Sequence, residues 1–131
     1  MPPRTTPPPP FEVSFDADRR LLHVVGRGVP SLADRVAWVN QVVNGHAPGA
    51  GIDVLIDVTD VTTMPEAEEC GHIVRLMEKL QQHLGGRVAI VNARAGNATT
   101  THLIAAYAAS VDIRAFTDGN RARNWLLTGA E

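Results

Sequence analysis

The sequence predicts an α/β fold: a β-hairpin followed by alternating helices and strands, in the order ββαβαβαβα, with five strands forming a mostly parallel mixed sheet. Three observations carry this. Two short apolar segments flank a run of turn formers near the N-terminus. Apolar residues then recur at helical spacing in four later segments. Between those helices lie short, nearly continuous apolar runs bounded by Gly, Asn and Asp, the pattern of parallel strands covered on both faces.

Each element has a local reason. Phe11, Val13 and Phe15 alternate with Glu12 and Ser14, as in a half-buried strand. Asp16-Ala17-Asp18-Arg19 supplies the turn, and Leu21 to Val25 the second strand, ended by Gly26, Gly28 and Pro30. Ser31 is placed to cap a helix bearing Leu32, Val36, Val39 and Val43, which Asn44-Gly45 and Pro48-Gly49 close. Ile52 to Ile56 reads as a central strand, apolar apart from Asp53, and Asp57-Val58-Thr59-Asp60 leads out of it.

The longest helix is expected from Pro65 to Leu84, with Ala67, Cys70, Val74, Met77, Leu80 and Leu84 inward and Pro65 in its first turn. Gly85-Gly86 stops it, and Arg87 to Val91 forms the next strand. Asn97 is read as the cap of a third helix containing Leu103, Ile104, Tyr107 and Ala108. Ile113 to Phe116 alternates like an edge strand, and Asp118 caps a last helix with Ala122, Trp125 and Leu126 inward. The domain organisation is a disordered Pro-rich tail over 1–10, ending in Pro7 to Pro10, and one domain over 11–128.

Composition narrows the functional classes. The net charge of −2 comes without a basic stripe, so nucleic acid is not an expected partner. A single cysteine, Cys70, permits no intrachain disulfide. Met1-Pro2-Pro3-Arg4 opens no signal-peptide core, and no run is long enough to insert in a membrane, so a bacterial-type cytoplasmic protein is expected. His23, His46, His72, His83 and His102 are scattered, so no metal is expected. His72 lies two positions from Cys70, about 200° around a helix, which rules out a nucleophile–base pair. Ser14, Ser31 and Ser110 suit strand, cap and loop, and no phosphate loop, dinucleotide motif or nucleophile elbow occurs. No cofactor and no enzyme activity are expected.

Ligands in open α/β sheets sit beyond the carboxyl ends of parallel strands. Asp57, Thr59, Asn92, Arg94, Asn97 and Thr99 fall there, either as a polar pocket mouth or as helix caps and turns. Trp38 sits off the centre of its helical stripe, so it either packs in the core or marks a partner surface.

Three stretches, Val54-Leu55-Ile56-Asp57-Val58-Thr59-Asp60-Val61, Gly86-Arg87-Val88-Ala89-Ile90-Val91 and Ile113-Arg114-Ala115-Phe116-Thr117-Asp118 followed by Trp125-Leu126, resemble the STAS and SpoIIAA-like domains. The likeness spans about residues 11 to 127, mainly through element order, and is nearest the stand-alone SpoIIAA-like proteins. It implies a non-enzymatic regulatory domain that binds a protein partner or forms a homodimer. The family's phosphorylated members carry a serine and a glycine at the start of the second helix; this chain has Thr62-Thr63-Met64-Pro65-Glu66-Ala67-Glu68-Glu69 instead. The phosphoswitch is therefore not expected, and Thr62 and Thr63 read as capping hydroxyls. Asp57, Thr59, Thr62, Thr63, Glu66, Asn92 and Asn97 are the candidate ligand or partner surface. The alternative is a small-molecule or lipid-like ligand held between the sheet and the 65–84 helix, for which an apolar cavity would be needed.

Overall fold

The computed structural model describes residues 9–63, 65–108 and 112–129, and within them the side chains of all but residues 95–99 and 107. The elements run in the expected order: β1 (Phe11–Asp16), β2 (Leu21–Gly28), α1 (Leu32–Gly45), β3 (Ile52–Val61), α2 (Ala67–Leu84), β4 (Gly85–Val91), α3 (Ala95–Tyr107), β5 (Ile113–Phe116) and α4 (Gly119–Thr128). The five strands form one sheet in sequential order. β1 is antiparallel to β2, and every other pairing is parallel.

Sequential order decides where the helices go. Right-handed crossovers that always step the same way place α1, α2 and α3 on one face. That face holds the larger core, in which Leu22, Val24, Val54, Ile56, Val88, Ile90 and Ile113 of the strands meet Val39, Ile73, Met77, Leu80 and Leu84 of the helices. The chain then turns back after β5, and α4 covers the reverse face, where Trp125, Leu126 and Ala122 pack on Leu55, Ala89, Val91 and Phe116. On the reverse face of β1 and β2, α4 reaches only the Leu21–His23 end of β2 among the described residues, and Arg27 and Glu12 bridge the two strands at 2.9 Å.

Local chemistry accounts for several boundaries. Ser31 caps α1: its hydroxyl accepts from the Asp34 amide while Asp34 accepts from the Ser31 amide, a reciprocal capping box. Gly85 ends α2 in the left-handed conformation at φ 75°, which glycine adopts without steric cost. Asp118 caps α4 through the Asn120 amide.

Six boundaries or faces differ from expectation. β2 runs on to Gly28 and β3 to Val61, because Asp57 and Asp60, turn formers by type, are held in the ladder by pairing with Val25 and Arg27, and Val61 beyond them pairs with Gly28. Pro65 lies outside α2 rather than in its first turn, and Glu66 is the N-cap, without a side-chain cap. α3 starts at Ala95 with Arg94 as N-cap, so Asn97 is inside the helix and is not its cap. On α1 the buried residues are Trp38, Val39 and Val42, while Val36 is exposed. Phe11 of β1 packs on Trp38 at 5.8 Å and draws that side of α1 into the core. On α2, Ile73 joins the buried stripe and Ala67 is exposed. The expected tail falls mostly on residues 1–8, outside the described residues, as do Ser110 and the side chains of Thr99 and Tyr107. Pro10 is described, and its carbonyl accepts from the Arg27 amide at 2.9 Å.

Two bulges shape the sheet. Between Val25/Asp57 and Arg27/Asp60 the strand β3 carries one extra residue, which reverses the facing of the residues beyond it. Val58 and Val61 consequently both face the three-helix layer. β4 carries the other, at Gly86-Arg87, where the Asp53 carboxylate accepts the Arg87 amide at 2.8 Å. This gives Asp53, the one charged residue of the apolar run Ile52 to Ile56, a structural task. A Cβ at Gly86 would overlap the Ile52 carbonyl, a backbone group that cannot step aside. Gly86→Ala is expected to lower the unfolding free energy by about 1–3 kcal/mol, the range for overpacking, measured by urea denaturation.

Candidate functional site

The larger core is closely filled at one end and open at the other. Leu80 and Leu84 of α2, with Val54, Val88 and Leu22, are fully buried toward the amino ends of β3 and β4. Toward the carboxyl ends a cleft opens to solvent, with a cavity volume of about 80 Å³. Its floor is Ile56, Val58, Val61 and Ile90 of the sheet. Phe11 and Trp38 wall one side, Ile73, Leu76 and Met77 of α2 the next, and Ile104 of α3 the third. The amino ends of all three helices lie at this end, because each comes directly after a parallel strand.

Polar groups are few and specific. Asn92 comes directly after β4 and is 3 % exposed. Its side-chain amide donates to the Thr101 hydroxyl at 3.3 Å, and its side-chain carbonyl accepts from the Arg94 amide at 3.1 Å. Thr100, Thr101 and Thr63 complete the hydroxyl complement of the lining. Arg35, in the first turn of α1, lines the same pocket; its guanidinium donates to the Pro30 carbonyl at 3.0 Å and lies 3.6 Å from the Glu69 carboxylate. Burial pushes the Arg35 pKa down, against the opposing pull of Glu69, Asp34 and Cys70.

The candidate residues divide between the two faces. Asn92 and Thr63 reach the pocket. Asp57 shares the facing of Leu55, on the reverse side of the sheet, where its carboxylate accepts the Thr59 amide at 2.9 Å; the Thr59 hydroxyl accepts from the Ala93 amide at 3.1 Å. Thr62 is tied to Gly28 by both its amide and its hydroxyl, and Glu66 is exposed at the start of α2. The side chain of Asn97 lies outside the described residues. Cys70 is half-buried against the core, as a small apolar residue would be.

Reasoning along the chain missed Arg35 and the apolar wall. A signal was present: Arg35 precedes Trp38, Val39 and Val42 by three, four and seven positions, which places a cation on the buried stripe of its helix.

On the reverse face, His23 is half-buried beside Arg123 and Asp57. Burial first, and Arg123 second, hold its imidazole below the ordinary value of 6.5, while Asp57 pulls the other way. The unfolded chain therefore binds the proton first as pH falls. His23's contribution is whole above 6.5 and is lost as pH drops through the lower folded value. Urea titrations between about pH 7 and pH 5 should show stability falling, and His23→Gln should flatten that slope.

No protein-family model and no curated protein matches the chain. Among solved structures it is similar to an uncharacterised protein of the DUF3478 family, with a SpoIIAA-like fold, from Shewanella loihica PV-4. The likeness has a TM-score of 0.60 at 18 % identity and covers 88 % of this chain and 91 % of that one. The fold is thus SpoIIAA-like, as the sequence resemblance implied. Among the described residues, no helix is long and apolar enough to cross a membrane.

Proposed function

We propose that this protein is a non-enzymatic binding domain that takes a small, largely apolar ligand in the pocket between the sheet and α2. One observation carries the reading: the pocket is continuous with the apolar core and opens at the carboxyl ends of β3 and β4, where open α/β sheets place their ligands. Its lining forgoes dispersion contacts that a fitted apolar body would restore. The polar groups of the described lining are one guanidinium, one amide and threonine hydroxyls, a set that orients a ligand rather than relays a proton.

Trp38 in the wall supplies a reporter. Titration with a neutral apolar probe such as decanol is expected to change tryptophan emission saturably and to raise the melting temperature with ligand concentration. No saturable change in emission, melting temperature or heat would reject the reading.

A second reading keeps the protein-binding role implied by the family resemblance, with a second copy of this chain as partner. The reverse face of β1 and β2, which α4 reaches only at the Leu21–His23 end among the described residues, favours it, since Leu21, His23 and Val25 are only half-buried there and Leu127 nearby is 74 % exposed. Sedimentation velocity should then show a concentration-dependent dimer that Val25→Lys disperses; a monomer at every concentration would exclude it.

A further inference from the structure

We infer that the ligand is an amphipathic monocarboxylate whose head group binds Arg35 by displacing Glu69; this rests on the pocket being a ligand site. The Arg35 side chain is only 11 % exposed and lines an otherwise apolar cleft. Guanidinium groups remain charged in proteins, so a buried one calls for a partner that is both anionic and hydrogen-bonded. Arg35 has neither in full. The one hydrogen bond of its guanidinium among the described residues goes to a neutral carbonyl, that of Pro30. The Glu69 carboxylate stands 3.6 Å away, outside the 2.7–3.2 Å span of such bonds.

A guanidinium offers five donors in a planar fork that suits a carboxylate, and among the described residues the Pro30 carbonyl takes only one of them, so the fork can receive one. Glu69 is more exposed than Arg35 and sits in the first turn of α2, from which it can turn to solvent as a ligand head arrives. Charge count sets the head group. A monoanion that replaces Glu69 at the guanidinium completes the pair, whereas a dianion would be opposed by Glu69 and by the exposed Glu66 and Glu68 of the same helix end. The apolar wall of Trp38, Ile73, Leu76 and Met77 then takes the hydrocarbon body. Recognition is divided in this way between one charge-assisted contact and a shape-tolerant apolar slot.

Calorimetric titration with decanoate and with decanol, which differ only in the head, tests the inference. Wild-type protein is expected to bind decanoate about tenfold or more tightly than decanol, the value of one hydrogen-bonded charge pair. Arg35→Met, which keeps an apolar stem, should erase that preference and leave decanol binding in place. Glu69→Gln, which removes the competitor without touching the core, should strengthen decanoate binding severalfold and leave decanol unchanged. Should Arg35→Met fail to fold, the Glu69→Gln comparison still decides. Equal affinities for the two probes, indifferent to both substitutions, would overturn the head-group inference and leave the pocket standing. Binding of neither probe would overturn both.

Discussion

Trp125→Ala is expected to cost about 3–5 kcal/mol of unfolding free energy, the range for removing a buried tryptophan from a core. The indole is 3 % exposed and is the largest apolar group of the second core. It packs on the Phe116 ring at 5.6 Å, and the guanidinium groups of Arg87 and Arg114 stand 5.8 Å and 5.6 Å from its own ring. Arg87 also donates to the Trp125 carbonyl at 3.4 Å, so the side chain and the helix end are held together. Since α4 is the helix covering the reverse face of β3 to β5, the loss exposes Leu55, Ala89, Val91 and Phe116 at once. Trp125→Phe should recover much of the loss, because a ring remains to cover them. Chemical denaturation gives the magnitude, and amide hydrogen exchange in β4 and β5 gives its location. Equal stability of wild type and alanine variant would show that α4 is dispensable to the fold.

Leu76→Trp is expected to abolish binding of an apolar ligand, with an affinity loss of about a hundredfold or more, while the fold survives. A blocked site loses the whole apolar contribution of the ligand, about 0.8 kcal/mol for each buried methylene. Leu76 is half-buried on the pocket wall, so an indole there projects into existing space rather than into packed neighbours. Filling that space returns dispersion contacts, and the melting temperature without ligand should hold or rise. The two substitutions have opposite effects. Trp125→Ala leaves the ligand pocket alone and weakens the fold; Leu76→Trp blocks the pocket and leaves the fold. Retained decanol binding in Leu76→Trp would place the ligand elsewhere.

The parts of this fold that could be read along the chain are those governed by neighbours a few residues away. Ser31 and Asp118 stop the preceding chain and cap α1 and α4 with their own side chains. Gly85 ends α2 because it takes a left-handed conformation at little cost. The extension of β3 past Ile56 could not be read in that way. Asp57, Thr59 and Asp60 are turn residues by type, and they stay extended because β2 continues alongside them. Arg94 replaces Asn97 as the α3 cap for a related reason: the Asn92 side chain holds the Arg94 amide at the end of β4 and brings the helix start forward.

The candidate site was legible only in part. Asn92 was found because ligands gather at the carboxyl ends of strands, and it does lie in the pocket. Asp57 and Thr59 satisfy the same rule in sequence, yet alternation sends Asp57 to the reverse face, and Thr59 is engaged with the Ala93 amide. Arg35 was passed over because an arginine in the first turn of a helix is ordinary; its burial depends on what α2 and the sheet bring against it.

By itself, then, the sequence determined the element order, the mostly parallel sheet, the caps of α1 and α4 and the inward face of α4. Those features arise from periodicity and from hydrogen bonds between near neighbours, which a linear chain displays openly. The tertiary structure alone decided that a pocket exists, that Phe11, Arg35, Trp38 and Ile104 share it, and that Asp57 does not. A void is what packing leaves unfilled between segments far apart in sequence. One bulge in β3 also reverses which side chains face it.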